Sequence, residues 1–412
     1  MPNKILLLAS CLALFSAFAS DDWPQFRGPD GEGHSDAKDL PLTWSESENV
    51  KWKTEIPGEG WSSPVIGGGQ VWMTSAINAG KSLRAVCCDL ASGKIVHDVE
   101  VFAVEAPEPK HKLNSYASPT PLIENGRVYV CFGTYGSACL DAKTGTKIWE
   151  NHDLKIDHEN APGSSPMLWK DKYFLCCDGR DFQYQAALDK NTGKLAWKTE
   201  RSQKIDKGRD MKKAYGTGQV ITVDGKDVLI TPAAEHVYAY DPETGKELWY
   251  VTYPGFSNVP RPIFGFGMVY VCTGFGRPEL WAIKPGGSGD VTATNVVWKV
   301  KIQAPAQPSP LLVGERIYMI NDDTGIATCL EAKTGKEVWK EKIGGPFSAS
   351  PLFADGRIYF CDRVGKTIVV EPGDAYKMLA TNTLEDGFMA SPAVSGKALI
   401  LRGKKFLYRI EK

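Results

Sequence analysis

The sequence predicts an all-β chain, an eight-bladed β-propeller of four-stranded antiparallel blades. Three observations carry this. The stretch Asp141-Ala142-Lys143-Thr144-Gly145-Thr146-Lys147-Ile148-Trp149 recurs with variations along the chain. A Ser-Pro dipeptide or its equivalent precedes each unit. Successive markers lie between 41 residues (Ser350 to Ser391) and 55 residues (Ser63 to Ser118) apart. A period of this length with about four short strands is the mark of propeller blades, which bury their sheet faces only against neighbours in a ring.

Each recurring stretch reads as a hairpin turn leading into the last strand of its unit. The acidic residue accepts hydrogen bonds from backbone N–H groups just after it, and the Gly supplies the positive φ of a tight reversal. The Trp is a flat apolar payload docked against a neighbouring blade. Further copies run Asp189–Trp197, Asp241–Trp249 and Glu331–Trp339, with a weaker one from Asp89 to His97, where His97 holds the Trp place. The markers are Ser63-Pro64, Ser118-Pro119, Ser165-Pro166, Thr217-Gly218, Arg261-Pro262, Ser309-Pro310, Ser350-Pro351 and Ser391-Pro392. Unit five carries a longer Gly-rich turn, residues 284–290. It lacks the Gly-Lys-Ser/Thr of a phosphate loop. Unit seven ends in Glu371-Pro372-Gly373-Asp374 and places Leu379 at the Trp slot. At the ends, Val50-Lys51-Trp52-Lys53 is a Trp strand without a hairpin, and Phe406–Ile410 belongs to a unit without a Trp strand. The N- and C-terminal segments are therefore expected to pair, closing the ring and removing its exposed edges.

The domain division follows: 1–19 a signal peptide, 20–49 an N-terminal arm over the ring, 50–412 the propeller. Lys4, the apolar run from Ile5 to Phe18 and Ala17-Phe18-Ala19 fit a secretory leader cleaved after Ala19, which implies a periplasmic or extracellular protein. Leu8-Ala9-Ser10-Cys11 offers a lipoprotein as the lesser alternative. No later stretch spans a membrane. Lys plus Arg total 48 and Asp plus Glu 49, so the net charge of −1 gives no basic footprint for nucleic acid. The ten Cys fall mostly on two small-residue slots of the repeat, one holding Cys87, Cys139 and Cys329, the other Cys131, Cys176, Cys272 and Cys361. They read as core filler. In a regular hairpin Cys131 and Cys139 would face each other about Tyr135, making them the expected pair should any disulfide form.

These repeats resemble those of the PQQ-like, quinoprotein alcohol dehydrogenase-like eight-bladed propellers. The resemblance covers nearly all of residues 22–412. That superfamily holds quinone-dependent dehydrogenases and the non-enzymatic BamB, a propeller of outer-membrane assembly. Trp23-Pro24-Gln25-Phe26-Arg27-Gly28-Pro29 further resembles a subgroup of secreted PQQ-like repeat proteins. The resemblance implies two functions: a binding scaffold, or an oxidoreductase using PQQ and calcium. The adjacent pairs Cys87-Cys88 and Cys176-Cys177 bear on the second, because some of these dehydrogenases carry a disulfide between neighbouring Cys beside the cofactor. Successive strand side chains point to opposite faces, which opposes such a bond here.

Candidate site residues lie where the repeat is broken. Connections 98–117, 150–164 and 198–216 are long, and loops on a rigid scaffold are where binding resides. They carry His111, Asn114 and Tyr116, then His158 and Asn160, each just before an innermost strand. Asp178 and Asp181 come from a loop on the same face. Lys213 and Arg261 add positive charge on neighbouring blades. The expected ligand is a small anionic or polyhydroxylated molecule, or a partner protein, held at the central funnel of a monomer. Asp178-Gly179-Arg180-Asp181 and Asn321-Asp322-Asp323-Thr324-Gly325 hold clustered oxygens but match no EF-hand spacing and read as Asx turns. The six His show no zinc spacing, and no Gly-x-Ser-x-Gly elbow occurs. No cofactor and no catalytic residue is assigned, PQQ and calcium being the alternative. A hydrolase or lyase acting on exported carbohydrate is the third reading, its carboxylates undefined by sequence.

Overall fold

A computed structural model describes residues 22–276 and 278–412. The leader expected at 1–19 lies outside the described residues. Eight antiparallel sheets follow one another along the chain and form a ring. Blades one to seven occupy residues 65–103, 122–151, 167–200, 219–252, 263–300, 311–342 and 352–383. The eighth takes Ala393–Ser395, Ala398–Arg402 and Phe406–Ile410 from the end of the chain and its outer strand, Val50–Glu55, from the beginning. Val50 pairs with Ile410 and Glu55 with Phe406, so the two termini close the ring as expected. Short parallel additions at His34–Ser35 and Gly289–Asp290 extend blades seven and four. Apart from one α-turn at Thr292–Asn295 and three 3-10 turns, helix is absent among the described residues.

The core lies between neighbouring sheets. One buried cluster joins Val65, Trp72 and Leu83 of blade one to Val128, Phe132 and Leu140 of blade two. The Trp residues lock this arrangement on the outer girdle. Five indole N–H groups donate to a carbonyl in the turn of the next blade: Trp52 to Leu90 (3.0 Å), Trp149 to Lys190 (2.9 Å), Trp197 to Pro242 (3.2 Å), Trp298 to Ala332 (3.2 Å) and Trp339 to Gly373 (3.0 Å). The turn Gly does two jobs. Gly193 has φ +71°, and a Cβ there would lie 2.5 Å from the Trp149 ring. The small-residue slot has its explanation too. Cys139, Ala187, Ala239, Ala282 and Cys329 sit directly across from Trp149, Trp197, Trp249, Trp298 and Trp339 on the neighbouring strand. The Asp turn residues behave as predicted: the Asp141 carboxylate accepts the N–H groups of Lys143 and Thr144 at 3.0 and 2.8 Å, whereas the Glu331 carboxylate accepts the Thr334 hydroxyl at 2.9 Å instead.

Three details of the sequence reading are corrected. In blade two the marker is Thr120-Pro121, not Ser118-Pro119. The Thr120 hydroxyl makes the inter-blade contact, while Ser118 bonds Asn114 within its own loop. In blade seven a bulge between Val369 and Val370 puts Ala380, not Leu379, in the Trp place. Cys131 and Cys139 are not opposite one another. The one-turn 3-10 segment Gly133–Tyr135 shifts the register, pairing Cys131 with Ser137 and Cys139 with Tyr129. All nine described cysteines are buried free thiols, and burial pushes Cys88, Cys176 and Cys361 up to about 12.

The markers form an inner ring of hydrogen bonds. The N–H of Ser63 donates to the Thr120 hydroxyl, Thr120 to Ser165, Ser165 to Thr217, Arg261 to Ser309, Ser309 to Ser350, Ser350 to Ser391, and Ser391 back to Ser63, all at 2.9–3.0 Å. The step from Thr217 to blade five is missing because Arg261 stands where a hydroxyl would. Below this ring the arm crosses the channel. Trp23 bridges Ile66 of blade one, Pro24 accepts the Ile123 N–H of blade two, and Gly33 accepts the Phe353 N–H of blade seven. Arg27 is buried and donates to the carbonyls of Ser309 (3.2 Å) and Pro310 (2.7 Å). The Arg261 guanidinium turns inward and donates to the Phe26 carbonyl at 2.8 Å. Burial pushes the Glu32 carboxyl up to about 7, against the pull of Arg27 and Arg261. The arm thus plugs one mouth of the channel.

Candidate functional site

With one mouth plugged, the axial channel is a blind funnel of about 750 Å³ opening on the face of the blade-to-blade connections. Phe26 of the arm is half-buried at its base, and the ring hydroxyls stand around it. The connections of unequal length build the walls. On the side of blades one to three these are Trp61, His111, Asn114, Asn160 and Lys213; blade five adds Phe256 and Phe275; the opposite wall holds Gln307, Asn321, Asp322 and Asp323.

His111, Asn114, Asn160 and Lys213, four of the residues expected from the sequence, line this cavity. Their freedom differs. Asn114 fastens its loop to the next one, donating to the carbonyls of Asn160 (2.7 Å), Ala161 (3.1 Å) and Pro162 (3.2 Å). Lys213 is buried, pairs with Glu159 and donates to the Asp210 carbonyl at 2.8 Å. The His111 ring is exposed, with Nδ1 accepting the Leu113 N–H at 3.3 Å.

The other five lie outside the lining. Tyr116 bonds the Glu108 carbonyl at 2.7 Å beneath the loop. His158 is buried behind the wall, where Nε2 accepts the Thr134 N–H at 3.1 Å and burial pushes its pKa down to about 4. Asp178 forms a two-pronged ion pair with Arg201, at 2.9 and 2.7 Å, with both side chains almost fully buried. Asp181 accepts the N–H groups of Asp157 and Phe182, both at 2.8 Å. Arg261 lies below the floor as the tie to the arm.

Sequence reasoning missed Trp61, Phe256, Phe275, Gln307 and the carboxylates Asp322 and Asp323 as lining. Asn321 makes the expected Asx turn, its Oδ1 accepting the Thr324 N–H at 2.9 Å, and the next two residues of that turn, Asp322 and Asp323, line the funnel, Asp322 with Oδ1 accepting the Ala306 N–H at 2.8 Å. Asp322 is held above the usual carboxylate range by burial. The signal available was position: the 320–326 loop precedes a third strand, and such loops open on the same face as the long connections. The rim carries exposed apolar tips at Phe182 (59%), Phe275 (60%), Ile302 (65%) and Val364 (59%).

The donor set singles out no position for a calcium-held quinone. Calcium takes six to eight oxygens, and among the described residues no three His, Cys, Asp or Glu side chains converge on a metal position. Lys213 is committed to Glu159 and so does not offer a free cation to a carboxylate-bearing ring. Cys87-Cys88 and Cys176-Cys177 lie within continuous strands as free thiols. No helix among the described residues is long and apolar enough to cross a membrane.

Comparison with known proteins matches this geometry. The family described as "Outer membrane protein assembly factor BamB" matches residues 182–290 and 287–384. Quinohemoprotein alcohol dehydrogenase ADH-IIG of Pseudomonas putida is 30% identical over 248 residues, covering 52% of this chain and 32% of the enzyme. The dehydrogenase subunit of the quinone alcohol dehydrogenase of Gluconobacter oxydans is 28% identical over 238 residues, covering 50% and 30%. The chain therefore spans about a third of the length of these curated relatives. Among solved structures, BamB from Moraxella catarrhalis superposes with a TM-score of 0.61 at 11% identity, covering 88% of this chain and 97% of that one. The quinohemoprotein alcohol dehydrogenase of Comamonas testosteroni superposes with 0.67 at 12% identity, covering 95% and 81%. Repeat, ring and relatives together place this chain in the PQQ-like, eight-bladed β-propeller superfamily that contains BamB and the quinoprotein alcohol dehydrogenases.

Proposed function

We propose that this protein is a non-catalytic binding scaffold of the periplasm or cell exterior, capturing a ligand or partner in the blind funnel. The plugged channel carries the reading. An internal ligand site needs a closed, partly apolar cavity with a few placed polar groups, and the arm makes one from an open ring. The apolar tips at the rim support contact with a larger partner above the cavity. Mass spectrometry of molecules and metals retained by protein purified from its own host tests this. A retained molecule or co-purifying protein is expected, with loss on His111→Ala. Retained PQQ, with dye-coupled alcohol or aldose oxidation that depends on it, would replace this reading with the oxidoreductase.

A further inference from the structure

We propose that the funnel takes an uncharged saccharide, seated on Phe26 with its oxygens facing the ring of marker hydroxyls. The proposal rests on the funnel being a binding site and names its ligand. Six hydroxyls of the ring line the cavity: Ser63, Thr120, Ser165, Thr217, Ser350 and Ser391. Each oxygen already accepts a backbone N–H from the neighbouring marker at 2.9–3.0 Å. A hydroxyl carries one donor and two acceptor sites, so each keeps its proton to give. Among the described residues none of the six donates to another group, and all are 94–98% buried. The ring therefore presents a circle of outstretched O–H groups to whatever occupies the axis. The buried Nε1 of Trp61, also on the wall, has no acceptor either.

Such a crown suits a ligand with oxygen around its whole perimeter. A polypeptide offers carbonyls and N–H groups in equal number, and its N–H groups would meet donors. The choice between a neutral and an anionic ligand falls to the wall. Lys213 is spent on Glu159, whereas Asp322 and Asp323 line the cavity on blade six, Asp322 with Oδ1 already accepting the Ala306 N–H at 2.8 Å. Two carboxylates repel an anion but accept the hydroxyl protons of a sugar. Aromatic surface completes the match: Phe26 below, Trp61 on one wall, and on another Phe256 and Phe275, packed edge-to-face at 5.7 Å. These faces suit the apolar C–H face of a pyranose.

Calorimetry of the whole protein with maltotriose, cellotriose and chitotriose, against trigalacturonate of similar size bearing three carboxylates, tests the proposal. At least one neutral trisaccharide should bind at least tenfold more tightly than trigalacturonate. Ser350→Ala and Ser391→Ala should each weaken it about tenfold, as for loss of one buried hydrogen bond. Asp323→Asn leaves the ring intact and should narrow the preference over trigalacturonate. Tighter binding of trigalacturonate overturns the proposal. So does failure of all three neutral sugars while another molecule or a partner's loop is found in the funnel, in which case the binding-scaffold reading stands. If nothing of any kind occupies the funnel, both fall.

Discussion

The two faces of this ring are made from the same eight units under different demands. On the turn face Gly93, Gly193, Gly245 and Gly335 each lie within 2.4–2.7 Å, measured from an added Cβ, of the preceding blade's Trp. Asp141, Asp189 and Asp241 each cap their turn through the same carboxylate oxygen. On the funnel face the loops diverge in length and chemistry, from the His111 loop to the short turn holding Asp322 and Asp323. The first face shows what the ring needs in order to close, since most of its blades dock their neighbour through the same Trp-to-turn contact. The second shows what is free to differ. A specific ligand cannot be selected by eight equivalent surfaces, so specificity has to sit where equivalence ends.

Changes to the repeated girdle should cost stability, whereas changes to the funnel should cost binding. Deleting residues 406–412 should have the largest effect. It removes the strand that joins Val50–Glu55 to Ala398–Arg402, leaves two open sheet edges, and should give aggregates rather than a monomer peak on size-exclusion chromatography. Next is Asp178→Ala, which strands the buried Arg201. A loss of about 3–5 kcal/mol in denaturant unfolding is expected, with partial recovery in the Asp178→Ala, Arg201→Met double variant.

His158 contributes a pH effect of similar size. Its pKa is pushed down to about 4 by burial, so the folded protein takes up this proton later than the unfolded chain does. The stabilisation is full above the ordinary value near 6.5 and is lost as the pH falls from there through 4. It amounts to about 3 kcal/mol. His158→Gln keeps an acceptor for the Thr134 N–H and should flatten stability across that window. Gly193→Val should cost about 1–3 kcal/mol by overpacking Trp149, with a shift in Trp emission. His111→Ala should come last, moving stability by no more than about 0.5 kcal/mol while abolishing capture of the funnel ligand. Equal losses of stability from His111→Ala and Gly193→Val would erase the contrast between the faces.

The architecture was legible because the repeat carries its own physics. An acidic cap, a Gly and a Trp at fixed offsets identify a turn, and the spacing of the markers identifies the ring. The closing blade was legible too, from a Trp strand at one end without a hairpin and a hairpin at the other without a Trp strand. Register was less so. Thr120 and Ser118 are both hydroxyls beside a proline, and only the inter-blade hydrogen bond separates them. Ala380 and Leu379 are adjacent, and only the bulge decides between them. For the site, position on long loops led to His111, Asn114, Asn160 and Lys213. It did not separate residues pointing at the axis from those pointing behind the wall, as His158 does. The carboxylates at 322 and 323 were hidden inside a motif whose turn-forming role is real, because Asn321 alone does that work.

The composite eighth blade also sets an order of events. Its outer strand, Val50–Glu55, precedes the seven other blades in the chain and its partner, Phe406–Ile410, follows them, so the early strand waits unpaired while seven blades are made. Until the final residues arrive the ring is an open arc with a sticky edge at each end, and the arm has no finished channel to cross. Closure of the ring therefore needs a strand made after all seven of the other blades. A chain truncated during synthesis stays visibly incomplete to any protease or chaperone that recognises unpaired strands.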